Sequence, residues 1–213
     1  LPAVEARLFP WDAYAHLCGW IYEPPAFFLA GAGLWAARGS LVKRDLLLIL
    51  TGLLMARIGS IAWETRGGHG NLHGEVDTHG VCRQTSSYSC SAAAAASLLW
   101  HHGVGTDERE MAALCLTQPG TGGTTDCGLM RGLRQKVGPR ANIDAFRYEE
   151  LPTPCIVSIR LNWLVAHSVV LREATPDQVV IMDPLKGVHK EPRADFERRW
   201  MGNAVWIEKE PGR

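Results

Sequence analysis

An excess of charge of either sign is missing from this chain. Its 213 residues carry 22 Lys and Arg against 22 Asp and Glu, a formal net charge of zero. Without a global basic field there is no electrostatic footprint for a nucleic acid. Paired cysteines are missing too. The six cysteines fall at 18, 82, 90, 115, 127 and 155, with no Cys-x-x-Cys and no regular spacing. That excludes a structural zinc site of the usual spacing and a dense disulfide framework. A His-Glu-x-x-His signature, a Walker motif and an internal repeat are all absent. What remains is a chain long enough for one ordinary domain with an extension, or for two small ones. Apolar residues reach 46 % and charged residues 21 %, so the chain has the apolar surface to fold.

The charges are unevenly spread. Residues 1–66 hold six basic and five acidic residues, and between Pro24 and Trp63 the only charges are Arg38, Lys43, Arg44, Asp45 and Arg57. Leu46 to Trp63 reads LLLILTGLLMARIGSIAW. As a helix this stretch rises about 27 Å, close to the ~30 Å hydrocarbon core of a bilayer. Arg57 is its one charge and can snorkel toward an interface. Upstream, Pro25 to Ala37 is apolar but short, with Pro24 and Pro25 suited to a first helical turn. Ala13–Tyr22 extends it around a kink, placing Trp20 and Tyr22 near an interface. Residues 1–66 therefore read as a helical hairpin anchored in a membrane, with a buried soluble hairpin or a signal-like segment as the alternatives. The basic loop Arg38–Arg44 points to the cytoplasm by the positive-inside rule. That leans the C-terminal domain toward the outside of a bacterial inner membrane.

Residues 67–80 are rich in Gly and His and read as a linker. Residues 81–213 read as a single globular domain. Ser91–His102 is an alanine-rich helix stopped at Gly103. Asp107–Leu116 is a second helix with a Thr106 or Asp107 cap, and Gly128–Val137 a third, stopped by Gly138-Pro139. After Pro154 the pattern turns to strands: Cys155–Leu161, His167–Arg172, Gln178–Met182 and Ala204–Glu208, rich in Val and Ile. Asp195–Trp200 is a short helix in the last connection. Helices first and an antiparallel sheet afterwards predict an α+β fold.

One cysteine stands out by position. Cys90 directly precedes the alanine-rich helix, where unpaired N–H groups and the helix dipole favour thiolate over thiol. A small buried cap residue is the bland alternative. A cysteine nucleophile needs a base and a group that orients it. His167 opens the strand HSVVL and Asp183 closes the strand VVIMD, so adjacent antiparallel strands can set an imidazole beside a carboxylate. Taken singly, they also read as a strand histidine and an Asp-Pro turn. Gln84, six residues before Cys90, can lend a side-chain amide to an oxyanion hole, or be only a surface glutamine. The Gly/Thr loop 119–126 and the turn at Asn162-Trp163 are candidates to shape a cleft.

Gln84 and Cys90 with the helix SAAAAASLLWHHG, then AHSVVL and VVIMDP, resemble the bacteriocin-processing, double-glycine leader peptidase family of the papain-like clan. Phe196, Trp200 and Gly202 fit the family's closing pattern. The resemblance covers roughly 80–210. It implies a papain-like cysteine peptidase domain: Cys90 as nucleophile, His167 as base, Asp183 as orienter and Gln84 as oxyanion donor, with no cofactor and no metal. The family usually places Gly after its cysteine and an acidic residue before it; here these are Ser91 and Ser89. The implied function is a membrane-anchored cysteine peptidase acting on peptide bonds, with double-glycine leaders as a candidate substrate. Its partners are a peptide or protein substrate, a lipid bilayer and a separate transporter, with no nucleic acid.

Three readings compete. One is a non-catalytic peptide-binding module. Another is an acyltransferase or transpeptidase using the same triad. The third is a metal site built from His69, His73, His79 and Cys82. The first is separated by labelling: an iodoacetamide-type probe near neutral pH is expected to modify Cys90 selectively, whereas a dead site would leave it inert.

Overall fold

A computed structural model describes residues 31–33, 35–36, 39–66, 69–118, 123–163 and 165–209. Five helices and six strands carry the argument. Helix α1 spans Leu41–Arg66, α2 Cys90–His101, α3 Glu108–Leu114, α4 Asp126–Val137 and α5 Arg193–Arg199. The strands are β1 (Ala141–Ala145), β2 (Cys155–Arg160), β3 (Ala166–Ala174), β4 (Gln178–Asp183), β5 (Gly187–Pro192) and β6 (Trp200–Ile207). They form one antiparallel sheet in the order β1-β6-β2-β3-β4-β5. The expected α+β layout is observed.

Alanine explains the centre of the fold. It is the best helix former, and its short side chain lets a helix lie close against a neighbour. Ala92 to Ala96 are all fully buried on α2, which packs on β3 and β2 and against α3 and α4. Helices α3 and α4 close up where Gly132 faces Cys115: a Cβ at Gly132 would lie 2.3 Å from the Cys115 Sγ. Local caps set the helix starts. The Asp107 carboxylate accepts from the Glu110 N–H at 2.7 Å, and the Thr125 hydroxyl from the Gly128 N–H at 3.1 Å.

The sheet is buried on both faces by alternation along its strands. Ile156, Val170, Met182 and Val205 join the helices in one core. Val157, Ile159, Val169, Leu171, Val179 and Ile181 join a second core with Tyr148 and Phe196. Phe196 of α5 stacks on Trp200 with ring centroids 5.8 Å apart and meets Tyr148 edge-on at 6.2 Å.

Several expectations are corrected. Strands β1 and β5 escape a pattern search because they are the two sheet edges. ANIDA and GVHKEP carry few branched apolar residues, as edges with one unpaired side require. Strand β6 starts at Trp200 rather than Ala204. Of the segment 67–80, the described residues 69–80 do not run as a solvated linker. Leu72 is fully buried, Val76 pairs with Cys82, and the Arg109 guanidinium donates to the Leu72 and Gly70 carbonyls at 2.9 Å each.

The membrane hairpin also meets a correction. Its first arm lies almost wholly outside the described residues. The second is a continuous helix, α1, but among the described residues no helix is long and apolar enough to cross a membrane. Lys43, Arg44 and Asp45 at one end and Arg57, Glu64 and Arg66 toward the other leave Leu46–Ala56 as the uncharged stretch. That is about 16 Å of helix against a core of ~30 Å.

Phe196→Ala is expected to lower unfolding free energy by roughly 3–5 kcal/mol, the range for emptying a buried aromatic site. Chemical denaturation of the two proteins checks it, and a loss under about 1 kcal/mol would mean that the second core collapses around the gap.

Candidate active site

The first turn of α2 is where the site begins. Its N-cap, Ser89, makes no capping hydrogen bond to the helix; its hydroxyl instead lies 3.0 Å from the Ser86 carbonyl. The first backbone bond of the helix runs from the Ala93 N–H to the Ser89 carbonyl at 3.0 Å. The N–H groups before it, and the positive end of the dipole, are therefore not spent on a side-chain cap. Cys90 is the first residue of this turn and is partly exposed.

Strand β3 brings the base. The side chain of His167 is 3 % exposed and that of Asp183 2 %. Their contact, His167 Nε2 to Asp183 Oδ1, is 2.7 Å long. The same carboxylate oxygen accepts from the Leu185 N–H at 2.8 Å, which fixes its orientation. With Nε2 committed to Asp183, Nδ1 is the nitrogen left for Cys90, and the imidazole is close enough to lower the thiol's pKa. A second link crosses the same junction. The Ser91 and Ser168 hydroxyls, both buried, lie 2.8 Å apart and join α2 to β3.

The electrostatics follow from these contacts. Burial pushes the Cys90 thiol up, but hydrogen bonds from His167, the Ser168 N–H and Ser91, with the imidazolium charge, outweigh it and hold the pKa below the ordinary thiol range. Burial pulls His167 down, but Asp183 and the thiolate outweigh it and raise the imidazole to about 9. Burial raises Asp183, yet the bonds from His167 and the Leu185 N–H leave it below the usual carboxylate range. All three directions favour a thiolate–imidazolium pair beside an ionised carboxylate.

Gln84 is held by its own loop. Its backbone N–H donates to the Pro184 carbonyl at 3.2 Å, just past Asp183, and its side-chain N–H donates to the Ser86 carbonyl at 2.6 Å. The amide oxygen Oε1 is buried without a partner. The structure thus brings Cys90, His167 and Asp183 into one chain of contacts and sets Gln84 in the loop that leads into Cys90. Of the candidate cleft elements, residues 119–122 lie outside the described residues. At the loop's far end a Cβ on Gly123 would lie 2.6 Å from the Tyr88 carbonyl, two residues before Cys90. Trp163 is 89 % exposed, in a turn where Asn162 Oδ1 accepts from the Val165 N–H at 2.9 Å.

Three residues of the metal reading have other partners. His69 bonds the Thr117 carbonyl at 2.8 Å, His73 the Asn71 carbonyl at 3.0 Å, and the Cys82 thiol donates to the Gly74 carbonyl at 3.3 Å. Cys82 is buried, and its pKa is pushed up to about 12, chiefly by that burial. Among the described residues no three His, Cys, Asp or Glu side chains are placed to hold a metal. Two neighbours of the site had little signal in the residues alone: Ser168, hidden in the strand HSVVL, and the buried Glu108, which looks like an ordinary acid in a first helical turn.

Fold and site together define a cysteine peptidase of α+β, papain-like build. The model of the Peptidase C39 family matches residues 78–212, and the chain belongs to that family. An uncharacterized protein of Methanothermobacter marburgensis is 31 % identical over 130 residues, covering 61 % of this chain and 89 % of that protein. A second, from Methanothermobacter thermautotrophicus, is 31 % identical over 129 residues, covering 61 % and 88 %. The peptidase domain of Streptococcus ComA, a bifunctional ABC transporter of a quorum-sensing pathway, superposes with a TM-score of 0.53 at 21 % identity, covering 61 % of this chain and 98 % of that one. A double-glycine-motif protease from an AMS/PCAT transporter, solved with its leader peptide, gives 0.51 at 21 % identity, covering 67 % and 95 %. At such identity the likeness is one of fold.

The pair makes a pH prediction. Cleavage measured as kcat/KM should rise from low pH as Cys90 ionises, then fall as pH passes about 9 and His167 loses the proton it must donate. Alkylation of Cys90 by iodoacetamide needs no proton donor and should not fall there. A fall in both would mean that the high-pH limb is not the loss of an acid.

Proposed function

We propose that this chain hydrolyses peptide bonds with Cys90 as nucleophile, His167 as acid and base, Asp183 as its orienter and Gln84 as oxyanion donor. The observation that carries the reading is the buried His167–Asp183 contact, 2.7 Å long, facing a thiol at a helix N-terminus. The Cys90 thiolate attacks the scissile carbonyl carbon. The negative oxygen so formed lies between the Cys90 N–H and the Gln84 amide. As the C–N bond breaks, the His167 imidazolium gives its proton to the leaving amine, and a thioester remains. His167 then takes a proton from water, whose oxygen attacks the thioester. The acid product departs and the thiolate is regenerated.

The proposed substrate is a leader peptide of the double-glycine type. Support comes from the family and from the fold shared with a protease that was solved with such a peptide. Contact with a lipid bilayer through α1 belongs to the same reading. Leu46, Leu48, Ile49, Leu50 and Leu53 are all at least half exposed, a large apolar area for a helix to leave in water. A transporter supplied by a separate chain would deliver the peptide.

The test uses a fluorogenic Gly-Gly peptide amide and the natural leader candidates. Cys90→Ala is expected to abolish cleavage, and Gln84→Ala to lower kcat by about 10²–10³, the usual worth of one oxyanion donor. Cys90→Ala cleaving at the wild-type rate would overturn the proposal. A free carboxylic acid among the products confirms hydrolysis over transfer to another amine.

A further inference from the structure

One buried titratable group takes no part in the reaction described above. Glu108, in the first turn of α3, is fully buried, and among the described residues no cation is paired with it. Its carboxylate is occupied by donors from the segment that leads into the nucleophile. Oε2 accepts from the Gly74 N–H at 2.8 Å and from the Thr85 hydroxyl at 2.6 Å. Oε1 accepts from the Thr85 N–H at 2.8 Å. Ser89 adds to the lowering of this acid, while its hydroxyl donates to the Ser86 carbonyl at 3.0 Å. Burial pushes this acid up, but the bonds from Ser89, Thr85 and Gly74 outweigh it and keep it below the usual carboxylate range. The fit at Gly74 is tight, since a Cβ there would lie 2.0 Å from the Arg83 carbonyl and 2.8 Å from Oε2.

The Thr85 that Glu108 holds opens the short segment that leads into the nucleophile. Thr85 follows Gln84 directly, and Ser89 precedes Cys90. Between them the Ser86 carbonyl accepts both the Gln84 amide and lies 3.0 Å from the Ser89 hydroxyl. A buried carboxylate that accepts several hydrogen bonds is an acceptor only, so it pins donors on two loops without a competing proton. The residue before the cysteine is a serine in this chain, so a local acid is not available to brace the turn.

We propose that Glu108 is a positioning residue: its carboxylate fixes the Thr85–Ser89 segment and thereby aims the Gln84 amide at the oxyanion. The inference rests on the assignment of Gln84 as oxyanion donor. Glu108→Gln replaces one acceptor with an N–H₂ group that faces an N–H, which leaves a buried donor unsatisfied. The expected result with the Gly-Gly peptide amide is a fall in kcat of about tenfold or more with KM within about twofold. The rate of Cys90 alkylation by iodoacetamide, a displacement that forms no oxyanion, should stay within about twofold of wild type.

A double-mutant cycle decides the route. In a Gln84→Ala background the Glu108→Gln change should have no further effect on kcat, because the group it positions is gone. Independent, additive losses would overturn the proposal, as would a parallel fall in alkylation and kcat. If Gln84→Ala alone leaves kcat unchanged, the oxyanion assignment fails, and the inference falls with it for a different and recognisable reason. Thr85→Val keeps the carboxylate and deletes one donor. It is expected to lower kcat about threefold and likewise to lose its effect without Gln84, so it decides the matter even if Glu108→Gln does not fold.

Discussion

A buried imidazole held between a carboxylate and a thiol is the contact on which the rest of this structure depends. His167 and Asp183 sit on neighbouring strands, and Cys90 sits at the head of a helix that packs on them. Three charged groups in so dry a place are costly unless each is paired. Here each is paired. Asp183 has the imidazole and the Leu185 N–H, His167 has Asp183 and the thiol, and the thiolate has the imidazole, the Ser168 N–H and Ser91. The arrangement holds only while α2 lies close against β3. The run of alanines from Ala92 to Ala96 and the Ser91–Ser168 bridge supply that closeness.

The segment before the nucleophile is braced in a different way. Residues 69–89 have little regular structure, yet they are tied to the helices at several points. Leu72 is buried in the helical core, Arg109 binds two of the segment's carbonyls, and Glu108 takes two of its N–H groups and the Thr85 hydroxyl. Basic and acidic neighbours on α3 thus satisfy opposite halves of the same backbone. A loop with its polar groups met in this manner can be buried without the usual penalty. That is how a stretch rich in Gly and His can frame a site instead of merely joining two elements.

Much of the site was legible in the residues themselves. Cys90 before an alanine-rich helix, His167 at the start of one Val-rich strand and Asp183 at the end of the next are local patterns, and local patterns survive into the fold. The order of helices and sheet was legible for the same reason: hydrophobic period and turn residues are written along the chain. Edge strands β1 and β5 were not, because an edge needs little apolar surface and leaves little trace. Nor was the role of Glu108, since an acid in a first helical turn looks alike whether it faces water or loop N–H groups.

The chain by itself determined which chemistry is present: one cysteine at a helix head, a histidine and an aspartate at strand ends, and an amide six residues upstream. Only the tertiary structure decided how these groups titrate and which neighbours serve them. A pKa is set by burial and by partners distant in sequence, as Cys90 and His167 are, or His167 and Asp183. The same holds for the loop that carries Gln84. Its residues are plain in the chain, but the carboxylate that holds them comes from another helix, and only packing brings the two together.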